Sequence, residues 1–147
     1  MRVLIDTNVA LTYLTRREDP YTEEADEILR MCSDEVLEGA IALHSLSTIW
    51  YKARKLQPEK VRAWIRLLCI LLTVSGADNR ALLAAIDDES FSDFEDAMQD
   101  CCASSFSADY IITANLKDFA GKSKIPALTP KEFLELVHNS GQISDLP

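Results

Sequence analysis

Short apolar runs that alternate with helix-like segments constrain the fold of this chain most strongly. The first run, RVLI at residues 2–5, has no polar alternation and stops abruptly at Asp6, which is typical of a parallel strand buried on both faces. Further strand-like runs lie at residues 40–43, 71–74 and 109–115. Strands separated by helices in this way predict a three-layer α/β/α domain with a central, mostly parallel sheet.

Six segments have helical periodicity or helix-capping signals. Asp19 and Pro20 are suited to begin the first predicted helix, and Pro58 is suited to begin the third. Ser92 and Glu95 have the spacing of a capping box, which predicts that the Glu95 side chain caps the fifth helix. The predicted helices cover residues 19–32, 45–56, 58–68, 79–86, 92–106 and 130–138.

The length of 147 residues suits one domain with a single core. We expect this domain to span residues 1–138 and a tail to follow over residues 139–147. The first residues have no signal-peptide pattern, and the most apolar stretch is about half as long as a membrane span. We therefore expect a cytoplasmic protein with no membrane partner, in which the four cysteines are reduced core thiols rather than zinc ligands or disulfides.

Charge is distributed unevenly along the chain. The net charge of −9 argues against a large nucleic-acid surface. Residues 52–66 nevertheless hold six of the fifteen Lys and Arg residues, whereas residues 87–100 hold seven acids and no base. Two solvated helix faces would explain this pattern. The alternative is a basic strip that places a polyanion over an acidic metal site.

Acidic and amide side chains follow two predicted strands and begin one predicted helix. Asp6 ends the first strand, Asn115 and Asp118 follow the YIIT strand, and Asp93 and Asp96 share a stripe of the fifth helix. Each has an ordinary explanation alone, as a turn residue or a complement to a helix dipole. Together they point to one edge of the sheet. Converging carboxylates repel one another unless a cation joins them, and oxygen ligands without His or Cys favour Mg²⁺ or Mn²⁺.

Three blocks of the sequence resemble a known family. VLIDTNV, DFEDAMQDCCA and DYIITANLKDF are similar, in this order, to the signature blocks of the PIN domain, over residues 2–119. The resemblance implies the PIN fold and a Mg²⁺- or Mn²⁺-dependent nuclease that hydrolyses RNA. It also implies a VapC-type toxin of a toxin–antitoxin pair, with a cognate antitoxin as partner and a homodimer as the common assembly.

The resemblance assigns the acids of the site residue by residue. The catalytic, metal-binding acids of the family fall on Asp6, Asp96 and Asp118. A glutamate that the family usually carries is expected near Thr48, where this chain has no acid from residue 40 to residue 58. Asp93 is the candidate substitute, and it is therefore included among the expected metal ligands.

The resemblance and the charge pattern also indicate supporting and substrate-binding residues. Polar residues that brace the site in the family fall on Thr7, Asn8, Thr113 and Asn115. Contacts with the RNA backbone are expected from the basic side chains of Arg16, Arg17, Lys52, Arg54 and Lys55.

Two rival interpretations stay open at this point. A receiver-like or phosphoryl-handling α/β domain also has an aspartate after its first strand, but Asn8 and Asn115 stand where its second acid and its lysine are expected. A PIN fold that binds without useful catalysis is the other rival, and the missing acid near Thr48 favours it. Metal-dependent cleavage of RNA separates both rivals from the nuclease.

Overall fold

Five short strands form the central sheet of the computed structural model, which describes residues 1–16 and 18–141. Every neighbouring pair in the sheet is parallel, in the order β3-β2-β1-β4-β5. Along the chain the strands are β1 (Arg2–Ile5), β2 (Glu38–Ala42), β3 (Thr73–Ser75), β4 (Tyr110–Ile112) and β5 (Ala127–Leu128). The predicted α/β fold with a parallel sheet is confirmed.

Seven α-helices within the described residues connect the strands or follow the last one. They are α1 (Thr7–Thr15), α2 (Thr22–Ser33), α3 (Leu43–Lys52), α4 (Pro58–Leu71), α5 (Asn79–Asp87), α6 (Phe94–Phe106) and α7 (Pro130–Asn139). A 3₁₀ helix, Leu116–Asp118, follows β4. Across the described ranges, no helix has the length and apolar character that a membrane crossing needs.

The sheet separates two hydrophobic cores because successive residues of a strand face opposite sides. On one side, Val3 and Ile5 of β1 pack in a cluster with buried residues of α1, α2 and α7. On the other side, Leu4 packs in a second cluster with Cys102 and Ala103 of α6. Helices therefore cover both faces of the sheet, and β1 is buried from both sides.

Helix α1 is a feature that the sequence analysis missed, because the first predicted helix begins only at Asp19. In the structure α1 starts directly after Asp6. Its buried residues lie on most sides of the helix and include Thr7, Val9, Leu11 and Thr12. A helix without a distinct polar face lacks the periodic signal on which the prediction depends.

Other element boundaries differ by a few residues. Helix α2 begins at Thr22 instead of at Asp19, because the Asp19 side chain accepts a hydrogen bond from the Tyr21 N–H and forms a turn before the helix. Helix α3 covers Leu43–Lys52 instead of residues 45–56, and β4 ends at Ile112. The predicted tail, residues 139–147, lies mostly outside the described residues, so the domain boundary stays a prediction.

The cysteines are free thiols, but one of them is not in the core. Cys32, Cys101 and Cys102 are buried, whereas Cys69 on α4 is exposed. The difference follows from the helix geometry, since Leu68 of α4 faces the core and the next residue is turned about 100° away.

The carboxyl ends of β1, β2 and β4 meet at one edge of the sheet. Strand β1 lies between the other two, and the Asp6 N–H donates a hydrogen bond to the Ile112 carbonyl at 3.0 Å. The chain leaves this edge through α1, α3 and the 3₁₀ helix. Polar side chains at these three exits are therefore neighbours in space.

Candidate functional site

A polar cavity of about 440 Å³ opens at this edge of the sheet. We call it the acidic cavity, because Asp6, Asp93, Glu95, Asp96 and Asp118 all line it. The acids reach it from the end of β1, the start of α6 and the 3₁₀ helix. The other lining residues that the sequence analysis selected are Thr7, Asn8, Lys52 and Asn115.

Asp6 is held in place by the end of β4. Its Oδ2 accepts a hydrogen bond from the Thr113 hydroxyl at 2.9 Å, and this hydroxyl accepts one from the Asn115 N–H at 3.0 Å. Burial raises the pKa of the Asp6 carboxyl, the hydrogen bond from Thr113 opposes this rise, and the negative charge of Glu95 adds to it. Thr113 therefore orients Asp6, as a bracing residue should.

Asp118 is positioned by the amide that precedes it. The Asn115 Nδ2 donates a hydrogen bond to Asp118 Oδ2, and the Asp118 N–H donates to the Asn115 carbonyl at 3.1 Å. The 3₁₀ helix between them turns the carboxylate back toward the strand ends. Asn115 and Asp118 thus form one unit at the wall of the acidic cavity.

The predicted capping box at the start of α6 is wrong. Asp93, not Ser92, is the N-cap residue, and its Oδ1 accepts a hydrogen bond from the Glu95 N–H at 2.8 Å. Since the helix begins one residue later than predicted, the Glu95 side chain does not fold back onto the cap. Instead Glu95 Oε1 lies 3.3 Å from the Thr48 hydroxyl of α3, at the wall of the cavity.

Asp96 carries a strongly perturbed carboxyl at the acidic cavity. Burial raises its pKa to about 6, with further contributions from the charges of Asp118, Asp93, Asp6 and Glu95. Within the described residues none of these carboxylates forms a salt bridge. A carboxylate surrounded by like charges favours either a proton or a cation.

Gln99 is a buried polar residue that the sequence analysis missed. Its Nε2 donates hydrogen bonds to the hydroxyls of Thr7 and Ser45, both at 2.9 Å, and these hydroxyls bond to each other at 2.8 Å. Gln99 is only 1% exposed, and its Oε1 is buried without a hydrogen-bond partner. This network joins α1, α3 and α6 beneath the acidic cavity, which Gln99 also lines. Gln99 follows Asp96 by three positions, so both lie on the same face of the helix; this spacing is the one sequence signal that could have indicated Gln99.

The predicted RNA-binding residues do not share one place. Lys52 lines the acidic cavity, and its Nζ donates to Asn8 Oδ1 at 3.2 Å. Arg54 instead lies over the ring of Tyr51, 4.2 Å from the centroid, and donates to the Tyr51 carbonyl. Lys55 is exposed just beyond α3. Lys117, which the sequence analysis did not select, is a second lysine at the cavity.

Arg16, which follows the last residue of α1, is not part of this arrangement. Arg16 forms an ion pair with Asp26 at 2.5 Å, and it lies outside the lining of the acidic cavity. Arg17 falls outside the described residues. The cationic side chains that border the cavity are therefore Lys52 and Lys117 among the residues the structure covers.

The donor set has the chemistry of a site for a hard cation. The cavity offers carboxylates and amide oxygens, and the unpartnered Oε1 of Gln99 lies beside them. As the side chains stand, no three carboxylates in the described ranges converge closely enough to coordinate one ion. Coordination would therefore require some of these carboxylates to rotate toward a common centre.

The pKa of Asp96 predicts an unusual pH dependence for the metal-free protein. Because its pKa in the folded state is raised to about 6, the folded protein retains a proton between about pH 4 and pH 6 that the unfolded chain has released. Lowering the pH from 7.5 to 5 with EDTA present should therefore raise the melting temperature. Asp96→Asn should show a smaller rise, and an equal rise in both proteins would mean that Asp96 is not the group responsible.

Known proteins share this fold. The model of the PIN domain family matches residues 2–117. The structure of VapBC2 from Rickettsia felis, bound to a DNA fragment from their promoter, is similar with a TM-score of 0.69 and 13% identity, over 88% of this chain and 98% of that chain. VapBC-1 from nontypeable Haemophilus influenzae is similar with a TM-score of 0.63 and 17% identity, over 89% and 99%. No protein with a curated function matches the sequence.

Proposed function

The chain belongs to the PIN domain family, and we propose that it is a Mg²⁺- or Mn²⁺-dependent endoribonuclease. One observation carries the proposal: Asp6, Asp96 and Asp118, from three distant parts of the sequence, line a single cavity at the carboxyl edge of the sheet. We assign these three residues as the metal ligands and catalytic acids.

The acidic cavity fits such an ion by its charge and by its supporting bonds. Thr113 holds one oxygen of Asp6 and Asn115 holds one oxygen of Asp118, so that both carboxylates are oriented before a ligand binds. The negative charges of Asp6 and Asp118 both raise the pKa of Asp96, so the three carboxylates repel one another. A divalent cation would remove this repulsion.

The chemistry divides between the ion and the chain. When bound, a divalent cation supplies Lewis acidity toward a phosphate oxygen and lowers the pKa of a bound water. Asp6, Asp96 and Asp118 contribute negative charge that holds the ion, and Lys52 and Lys117 offer positive charge to phosphates beside the scissile bond.

Neither histidine takes part as a base in this arrangement. His44 lines a different, mostly apolar cavity, and the Nε2 of His138 on α7 lies 3.3 Å from Glu27 Oε1, outside the lining of the acidic cavity. The proton acceptors available to an attacking water would then be the carboxylates of the acidic cavity and solvent.

The proposed biological role is that of a VapC-type toxin with a cognate antitoxin. The two solved structures described above are of VapBC proteins, and the likeness covers nearly the whole length of the matched chain in each. The antitoxin and a homodimer are the partners that this role implies. A small protein encoded beside this chain that binds it and suppresses RNA cleavage would support the role.

The function is tested with EDTA-treated protein and a single-stranded RNA. Cleavage should appear when Mn²⁺ or Mg²⁺ is added, and Asp118→Asn should lower its rate by at least about a hundredfold, since it removes charge that positions the ion. Asp87→Asn, on the exposed end of α5 and outside the cavity lining, is the matched control and should cleave normally.

Two outcomes would contradict the proposal. The first is an absence of metal-dependent cleavage by the folded wild-type protein. The second is a rate in Asp118→Asn equal to that in Asp87→Asn. RNA binding without cleavage would favour the PIN-fold binding module instead.

A further inference from the structure

We propose that Glu95, rather than Asp93, is the further carboxylate of the metal site, delivered by α6 to the wall of the acidic cavity that α3 leaves without an acid. This inference rests on the proposed nuclease function and goes beyond its three assigned ligands.

The position of Glu95 is set by two neighbouring elements. Its backbone N–H is bound by the Asp93 cap at 2.8 Å, and its Oε1 lies 3.3 Å from the Thr48 hydroxyl. Thr48 also donates to the His44 carbonyl at 3.2 Å, so its hydrogen is shared and the contact with Glu95 is a weak one. The Glu95 carboxylate thus lies beside α3, and its oxygens can still bind a ligand.

The charge environment of Glu95 is unfavourable without a cation. Glu95 lines the acidic cavity together with Asp6, Asp93, Asp96 and Asp118, so its carboxylate lies among like charges. Glu95 forms no salt bridge among the described residues, and the cap is already supplied by Asp93. A carboxylate among like charges that neither caps the helix nor forms a salt bridge is stabilised when a cation joins these charges.

Gln99 provides a second, independent indication of a ligand. It lies four positions after Glu95 on α6, so that both side chains are on the same face of the helix. The Gln99 Oε1 is buried at this cavity without a hydrogen-bond partner. A buried carbonyl oxygen is normally satisfied, and a bound ion or its water would satisfy this one.

A structural explanation must be excluded, because acids in the first turn of a helix also complement its dipole. Asp93, the other candidate for the missing acid, allows this to be tested, since it lies at the same helix end and lines the same cavity, but its Oδ1 is engaged by the Glu95 N–H in capping the helix. Asp93→Asn removes one negative charge there and keeps the oxygen that caps the helix. Glu95→Gln removes one negative charge from the wall of the acidic cavity, beside Thr48.

The experiment is a calorimetric titration of Mn²⁺ into wild type, Glu95→Gln and Asp93→Asn, without RNA. Glu95→Gln should raise the Kd for Mn²⁺ by about ten- to a hundredfold. Asp93→Asn should change this Kd by less than about threefold. Equal affinity of wild type and Glu95→Gln would overturn the inference alone. Equal weakening in both variants would assign the effect to the helix end and overturn it as well. A wild-type protein that binds no Mn²⁺ would overturn this inference together with the proposed metal site.

A double variant tests the location of the carboxylate. Because the Thr48 hydroxyl lies 3.3 Å from Glu95 Oε1, a glutamate at position 48 can bring its carboxylate to the same wall from α3. Thr48→Glu combined with Glu95→Gln should therefore recover most of the Mn²⁺ affinity that Glu95→Gln loses. A folded double variant as weak as Glu95→Gln would contradict the placement at Thr48.

Discussion

Replacing Asp96 by Asn should make the metal-free protein melt at a higher temperature and abolish both metal-induced stabilisation and RNA cleavage. The substitution is nearly isosteric and removes one negative charge from a cavity in which the pKa of Asp96 is raised to about 6. At pH 7.5 this relieves repulsion with Asp118, Asp93, Asp6 and Glu95. A substitution that stabilises the fold and removes the activity is expected only of a functional residue.

The rise in melting temperature that Mn²⁺ causes in the wild-type protein is the rise that Asp96→Asn should lose. Mn²⁺ at about a hundred times its Kd stabilises the folded state by about 2.7 kcal/mol, which corresponds to a rise in melting temperature on the order of 10 °C. Asp96→Asn should lose most of this rise, and its cleavage rate should fall by at least about a hundredfold. Melting curves with EDTA and with Mn²⁺, and an RNA cleavage assay, measure both. Cleavage by Asp96→Asn at the wild-type rate would leave the acids of α6 with only a capping role.

Replacing Phe133 by Ala should lower the free energy of unfolding by about 3–5 kcal/mol. Phe133 on α7 is fully buried, packs edge-to-face on Tyr110 of β4 with ring centroids 6.0 Å apart, and belongs to the same core cluster as Ile28 of α2. The loss comes from the removed contacts and from the cavity that remains. Urea denaturation measures it.

This substitution also tests the domain boundary, because α7 lies beyond residues 2–117, over which the family model matches. Glu135→Ala is the control on the same helix, since Glu135 is exposed, and it should change the stability by less than about 0.5 kcal/mol. If Phe133→Ala were as mild as the control, α7 would not be part of the cooperative domain, and the predicted boundary near residue 138 would be wrong.

The acids of the site could be predicted from the sequence because their positions follow from the sheet. Asp6 and Asp118 come after parallel strands that lie side by side, and Asp96 begins the helix that covers one face. For such residues the topology fixes the location before any side chain is placed. Thr113 and Asn115 follow from the same rule, since they continue β4.

The roles of Glu95 and Gln99 could not be predicted in the same way. Whether Glu95 caps α6 or lines the cavity depends on a shift of one residue in the helix start, and sequence signals do not define boundaries so finely. The Nε2 of Gln99 is bound by Thr7 and Ser45, which are distant from it in sequence. Contacts of this kind depend on the packing of three elements, of which α1 was not predicted at all.

Side-chain conformation limits the prediction of the basic residues as well. The charge run that includes Lys52, Arg54 and Lys55 indicates a basic strip, but the structure turns Arg54 onto Tyr51 and leaves Lys52 at the acidic cavity. The cation–π contact of Arg54 with Tyr51 competes with a conformation in which all three basic side chains share one binding face. The position of Lys117 at the cavity results from the 3₁₀ turn after β4.

The most direct test of the metal site is a crystal structure of the wild-type protein with Mn²⁺, with diffraction data recorded at the manganese absorption edge. We predict an anomalous peak in the acidic cavity, within bonding distance of carboxylate oxygens of Asp6, Asp96 and Asp118. Crystals of Asp96→Asn grown in the same Mn²⁺ concentration should lack this peak or show it much weakened. A manganese peak bound elsewhere, or an empty cavity at saturating Mn²⁺, would contradict the site proposed for this protein.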